Sequence, residues 1–542
     1  MRAAFVFVLL GAEICSAGEL LYNGIQLPDE WPPKVGRLSR TPTPDPEYLT
    51  SPPAVIPIDV GRQLFVDDFL IEQTTLTRTY HQAEYFPDNP VLKADKPWEH
   101  QDQGRILQVF GPVSGVSVFS DGVWLDPSDQ LFKMWYRTGM WQYLAFATSK
   151  DGIHWDKPSL DIKLGTNIVH EEGRGSSTVW LDQEEKDPAR RFKLMFSHSH
   201  MTPQQLFFSP DGIHWGPEVA RSAPCGDRST MFRNPFRKVW VFSIRDGEDP
   251  QIGRARRYLE NRDIVTGIQW KSDKPGWWVG PDNLDPMRPD LKIPPQLYNL
   301  DAVGYESLML GLFSMWRGQP DDRHKPNEIV VGYSRDGFHW TRPVRTALIP
   351  VSENYGDWNW SNVQSAGGVC TIVGDRLHFY VMGWSGERGT AKPGHGSIGL
   401  AMLRRDGFAS MDAKGDGTLT TRPIRFSGKH LFVNLDAREG GLSAEVIDEN
   451  EKPIEPFTMA NCIPTTGDRT LQGVKWRGAN DLEILAGRAV RLRFNVRNAQ
   501  LYSFWVSPDE SGASHGYTAA GGPGFTGPTD TVGTEGDKCV PR

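Results

Sequence analysis

The chain predicts an all-β protein, a five-bladed β-propeller followed by a C-terminal antiparallel β-sandwich, and three observations carry that expectation. The first is a repeat: Ser149-Lys150-Asp151-Gly152-Ile153-His154-Trp155 is written again from Ser209 to Trp215 and from Ser334 to Trp340. The second is its setting. Each copy follows a short β-type run (Leu144 to Thr148, Leu206 to Phe208, Ile329 to Tyr333), and its Asp-Gly pair supplies the positive φ of a tight turn between strands. The third is the spacing, 60 residues between the first two copies and 125 between the second and third, about two periods. A worn copy belongs in that gap, and Thr266-Gly267-Ile268-Gln269-Trp270 fills it.

Upstream of each copy the strands recur in one order. An apolar segment (Val123 to Leu125, Val179 to Leu181, Met231-Phe232) precedes a polar turn and a second apolar strand (Phe132 to Tyr136, Phe192 to Phe196, Val239 to Ser243). Two further units match, around Asp301 to Phe313 and around Gly368 to Met382. Five units of about four strands read as a propeller, because radial repetition leaves only short protected edges, whereas a β-helix repeats at far shorter spacing.

From the start of the chain, Met1-Arg2, the apolar run Ala3 to Ala12 and the small residues Cys15-Ser16-Ala17 read as a secretory signal peptide over residues 1–17. The mature protein is therefore expected to be secreted or periplasmic. No other stretch reaches the roughly 18 apolar residues of a membrane span. Residues 18–58 are rich in proline and threonine and predict an extended lead-in. The run Gly61 to Ile71 is the first strong strand signal and is expected to complete the last blade of a propeller covering 59–411. Beyond it, Leu419 to Phe426, Leu431 to Leu435, Leu442 to Ile447, Val490 to Phe494 and Leu501 to Trp505 alternate as strands without another Asp-Gly-x-His-Trp turn, which predicts the sandwich over 412–508. The Gly-, Ser-, Thr- and Pro-rich run 509–542 predicts a disordered tail.

At 542 residues the chain exceeds what one core usually holds. A formal charge of −8, with Lys and Arg scattered, offers no basic stripe and argues against a nucleic-acid partner. Five cysteines contain no C-x-x-C pair, so Cys225, Cys370, Cys462 and Cys539 are expected as free thiols. Asp412-Ala413-Lys414-Gly415-Asp416-Gly417 has the outline of a calcium loop, but Lys414 at the third ligand position and Pro423 at the twelfth remove that reading, and no metal or other cofactor is expected. His154, His214 and His339 recur in every good turn copy and are read as scaffold, since a catalytic group is needed once and not per blade.

A propeller and sandwich in an exported chain, with Asn89-Pro90-Val91-Leu92 and Trp98-Glu99 before the first blade, resembles the invertase, levansucrase and arabinanase superfamily of glycoside hydrolases. Tyr298 to Leu308 and Gly226 to Phe232 look like secreted bacterial family 32-like hydrolases. The resemblance covers roughly Asp59 to Ser507. It implies carboxylates projecting from the innermost strands into a central funnel, one to protonate the leaving oxygen and one to act as nucleophile or base. The motifs match unevenly. Aligning the W-M-N-D-P-N-G signature on Gly122 puts Phe119 at the nucleophile position, with Asp121 two residues on and on the same face. The R-D-P triplet is replaced by Gly175-Ser176-Ser177-Thr178, and Asp227 falls at the position of the acid. Cleavage of sucrose or fructan is not implied.

The candidate catalytic residues are therefore Asp121, Asp227 and Asp301, each just before or within the first strand of its unit. Arg228, Glu306, Trp358 and Trp360 are the candidate sugar-binding residues, the tryptophans as stacking faces at the funnel mouth. A carbohydrate substrate is the expected partner. The competing expectation is a carbohydrate-binding or scaffolding propeller that has lost its catalytic pair.

Overall fold

The computed structural model describes residues 18–101, 113–139, 142–171, 176–245, 249, 251–321, 323, 325–386 and 394–537. The expected signal peptide and Cys539 lie outside the described residues. The chain is all-β, and the helices among the described residues are short, such as Glu47–Thr50 and Ile264–Ile268. No helix among the described residues is long and apolar enough to cross a membrane.

Three four-stranded sheets succeed one another along the sequence. Ser177–Leu181, Phe192–Ser197, Thr202–Ser209 and Ala220–Cys225 form an antiparallel meander, and Thr230–Asn234, Val239–Arg245, Arg256–Asn261 and Gly276–Val279 form a second. Gln296–Glu306, Leu308–Trp316 and Asn327–Ser334 form the third, whose fourth strand, Tyr517–Thr518, comes from the far C-terminus and pairs with Tyr305 and Glu306. The first and last sequence units are fused into one eleven-stranded sheet, because Val113–Ser117 runs parallel to Gly394–Arg404 while also pairing with Leu131–Thr138. The second strands, Leu131–Thr138, Phe192–Ser197, Val239–Arg245 and Leu308–Trp316, are buried on nearly every residue, as expected of strands covered on both faces. One core runs through these sheets, and a smaller one, with Met134, Tyr136, Tyr380 and Ile398, sits where the first and last units join.

The repeated turn explains its own sequence. Asp151 Oδ1 accepts from the backbone N–H groups of Ile153 and His154, each at 2.8 Å, and its Oδ2 meets His154 Nδ1 at 2.7 Å. Asp211 with His214 and Asp336 with His339 repeat the arrangement, and Gly152, Gly212 and Gly337 have φ of 76°, 79° and 83°. The worn copy is built differently: Ile264–Ile268 is a short helix capped by Asp263, whose side chain accepts from Thr266 N. Its Trp270 still packs on the second strand of its unit, 5.1 Å from Phe242, as Trp340 packs on Phe313 at 5.6 Å.

Three expectations are corrected. Gly61 to Ile71 does not complete the last unit: Gln63–Leu64 pairs with Arg491–Ser507, and Ile71–Thr74 with Ala409–Thr421, in a separate seven-stranded sheet. Glu84–Tyr85 joins the last unit instead, beside Gly394–Arg404. The lead-in enters the core of the seven-stranded sheet through Leu21, Ile25, Leu27 and Tyr48, and Ile56–Pro57 pairs with Ile424–Arg425. The tail is not disordered over 509–537: Ala520 and Asp530 are fully buried, and Ser514 Oγ donates to Glu306 at 2.7 Å. Cys225, Cys370 and Cys462 are free and buried.

The seven-stranded sheet is dominated by the long strands Ala409–Thr421, His430–Ile447 and Arg491–Ser507. Register breaks between Asp436 and Gly441 and between Ala413 and Asp416 interrupt its ladders.

Candidate active site

The chain breaks between Val113–Ser117 and Val123–Asp126, and Asp121 sits in that break. Ser120 there takes a φ of 59°, a left-handed conformation that only specific contacts hold in a non-glycine residue. Asp121 is fully buried. Its Oδ2 accepts from Phe119 N at 3.0 Å, and its Oδ1 accepts from the Ser177 hydroxyl of the next sheet. Burial pushes its pKa up to about 7, against the opposing pull of Arg137, Ser177, the Phe119 N–H and Arg228.

Asp301 lies on Gln296–Glu306, and Asn299, two residues earlier, shares its face. Asp301 Oδ2 accepts from Asn299 Nδ2 at 2.9 Å and from Ser365 Oγ at 2.6 Å. The same Asn299 amide donates to Ser120 Oγ at 2.9 Å, so one side chain ties the segment carrying Asp121 to the strand carrying Asp301. Burial raises the pKa of Asp301, opposed chiefly by Arg228. Asp121 and Asp301 are thus brought together in a network to which four sequence units contribute: Ser120 and Asp121, Ser177, Asn299 and Asp301, and Ser365.

Guanidinium groups surround the two carboxylates. Arg228 has a φ of 63°, donates through its backbone N–H to Ser176 Oγ at 2.8 Å, and lays its guanidinium 4.8 Å over the Phe119 ring. Its Nη2 reaches Ser120 Oγ at 3.4 Å. Arg256, fully buried, donates to the Arg228 carbonyl, to Ser243 Oγ at 2.9 Å and to Asn299 Oδ1 at 3.2 Å. Asp227 is not joined to Asp121 and Asp301 by these bonds. Its carboxylate forms an ion pair with Arg245 and lies 3.2 Å from His200 Nδ1, with about a third of the side chain exposed.

Three of the expected sugar-binding residues are placed elsewhere. Glu306, an odd number of positions from Asp301, has no exposed surface and lies between Arg62 and Arg405, with its Oε1 3.0 Å from Arg405 Nη2. It is a buried anion where the sheets meet, paired with arginines rather than joined to Asp121 and Asp301. The Trp358 indole packs directly on the backbones of Gly383 and Gly399, where any Cβ would collide with it, and meets Tyr85 edge-on at 5.6 Å. Trp360 is buried, against Tyr355 and beneath Arg323. Trp360 is thus enclosed, while Trp358, half-buried, lays its ring on the backbone of the last unit. Sequence reasoning missed Ser120, Ser177, Asn299, Ser365, Arg137 and Arg256. For Ser120, Ser177, Asn299 and Ser365 the signal was positional, polar residues within or beside the first strand of a unit; Arg137 and Arg256, on a second and a third strand, carried none.

Among the described residues, no group of three or more His, Cys, Asp or Glu side chains could hold a metal ion. No protein-family model and no curated protein sequence matches the chain. Solved structures resembling it include one from work on mannoside phosphorylases and glycoside hydrolases of family GH130 that target β-1,2 mannosidic linkages in Candida mannan. That protein is 11% identical, the match covering 60% of this sequence and 94% of the other, with a TM-score of 0.38. An exo-β-1,3-galactanase from Phanerochaete chrysosporium is 9% identical, covering 72% and 95%, with a TM-score of 0.33. An exo-inulinase from Aspergillus awamori is 12% identical, covering 76% and 99%, with a TM-score of 0.33.

Proposed function

We propose that the chain is a secreted glycoside hydrolase, exported by its N-terminal segment, that cleaves a glycosidic bond of an oligo- or polysaccharide at the Asp121–Asp301 centre. In this reading the five sequence units are five blades around one axis. The long strands of the seven-stranded sheet fold over at their register breaks into a C-terminal sandwich, which carries no catalytic residue. The observation that carries the reading is the joining of two buried carboxylates from different units through Ser120 and Asn299.

The two carboxylates have complementary environments. Asp121, whose pKa burial pushes up to about 7, keeps its proton through the acidic range and in about half of the molecules at neutral pH, and is assigned as the donor to the leaving oxygen. Asp301 accepts from Asn299 and Ser365 on Oδ2, which orients the carboxylate, so it is assigned as nucleophile or base. Asp227, paired with Arg245, is assigned to the rim of the same site. The deep burial of both central carboxylates favours a second reading, a carbohydrate-binding or scaffolding propeller in which the pair is structural. Reducing-sugar release from a panel of polysaccharides and aryl glycosides separates the two. Hydrolysis by the purified chain that falls on the order of 10²-fold or more in Asp301→Asn supports the enzyme. Binding of a polysaccharide without any release supports the alternative.

A further inference from the structure

We propose that Arg228 anchors an oxyanion of the ligand, a carboxylate or sulfate ester carried by the sugar or a free phosphate, so that the site selects acidic over neutral glycans. This rests on the reading of the centre as a sugar site and narrows its substrate class.

Two independent observations carry it. The first is the state of the Arg228 side chain. The residue is 5% exposed, yet among the described residues Nε and Nη1 have no hydrogen-bond partner, and Nη2 has only the long contact to Ser120. A buried guanidinium with unmade bonds is costly, and cation–π contact with Phe119 compensates only in part. The outer edge made by Nη1 and Nη2 matches two oxygens of a carboxylate, sulfate or phosphate, and a contact as long as 3.4 Å yields readily to a ligand.

The second observation is the crowding of like charge. Arg256 donates to the Arg228 carbonyl and, at 3.2 Å, to Asn299, the residue whose amide holds the same Ser120 hydroxyl that Arg228 reaches. The Arg256 pKa is pushed down to about 9, first by burial and then by Arg245 and Arg228. An anionic group held by Arg228 would ease that repulsion, and a neutral sugar would not.

The test is calorimetric titration of the full chain at fixed ionic strength with galacturonate, galactose 6-sulfate, neutral galactose and inorganic phosphate. Wild type is compared with Arg228→Met and Arg228→Lys, whose folding is checked by circular dichroism and melting. The expected result is that the charged sugars bind at least about tenfold tighter than galactose. Arg228→Met erases the difference, and Arg228→Lys, which keeps the charge but not the fork, restores part of it. Arg228-dependent binding of phosphate alone supports the oxyanion site and identifies a free anion as its source. Equal affinity for charged and neutral sugars without Arg228-dependent binding of phosphate, or binding of no probe, overturns the proposal. The two readings fail separately. Charged-sugar binding through Arg228 with no glycan hydrolysed removes the hydrolase and keeps the oxyanion site. Release from neutral glycans alone, with an unchanged KM in Arg228→Met, does the reverse.

Discussion

At the scale of single residues, the weight falls on Asp121 and Asp301, and their burial makes them testable by pH. Asp121 titrates near 7 where its ordinary value is 3.8, so the folded state holds a proton through that window that the unfolded chain releases. Stability contributed at this position therefore falls as pH rises from about 4 to 7, and Asp121→Asn should flatten that slope in urea melts collected across the range. If Asp121 is the proton donor, kcat/KM of the wild type declines above about pH 7, and Asp121→Asn has both a rate lower by roughly 10²-fold and no such alkaline limb. An unchanged pH profile in the variant would remove the donor role. Both carboxylates were legible in the sequence from their position at the head of a unit. Their companions were not, because a serine or asparagine carries no distinctive spacing and the bond that matters most, Ser120 to Asn299, joins residues 179 apart. The packing of the tryptophans was not legible for a related reason: Trp358 and Trp360 occupy a loop before a first strand, but Gly383 and Gly399, distant in sequence, make room beneath the Trp358 ring.

At the scale of elements, the repeated turn was legible because its chemistry is local. One Asp accepts two backbone N–H groups and a histidine, all within three residues. Its energetic worth depends on burial. Asp336 is 4% exposed and Asp151 31% exposed by side chain, so Asp336→Ala, which strands two buried N–H groups, is expected to cost roughly 2–3 kcal/mol and Asp151→Ala about 1 kcal/mol. Equal losses in chemical denaturation would show that burial is not what sets the cost. A methyl group at Gly383 is driven into the Trp358 ring, and Gly383→Ala should lose roughly 1–3 kcal/mol by the same measurement. Which sheet a short strand joins was not legible. Gln63–Leu64 and Glu84–Tyr85 are each two residues long, and their partners, near Phe504 and Ala401, are hundreds of residues away, so alternation within the strand cannot choose between them.

At the scale of the whole molecule, the C-terminal segment is what composition hid. Few apolar residues and many glycines read as disorder, but the segment is ordered by its polar groups and by close approach: a Cβ at Gly516 would strike Glu306, and one at Gly522 the Ile372 carbonyl. Asp530, fully buried, lies 3.1 Å from Arg405, which reaches Glu306 at 3.0 Å, while Arg62 reaches Asp406 at 3.1 Å over the Trp505 ring. This cluster joins the third four-stranded sheet, the seven-stranded sheet and the tail into one unit, and the favourable charges of Arg405 and Arg62 hold the Asp530 pKa below its ordinary value against the cost of burial. Its contribution is therefore present above the ordinary carboxylate range and lost as pH falls through the depressed value. Asp530→Ala leaves a buried guanidinium short of an anion and is expected to cost roughly 3–5 kcal/mol, whereas Arg438→Ala, which breaks the exposed pair with Asp436, should produce no measurable change. A chain ending at 508 loses Asp530, Ser514 and the strand Tyr517–Thr518 together. Calorimetry of that chain should find a melting temperature far below wild type, or no folded protein. A truncated chain that melts with the full-length protein would mean that the buried cluster closes without its tail, and that the sheets hold together through their apolar contacts alone.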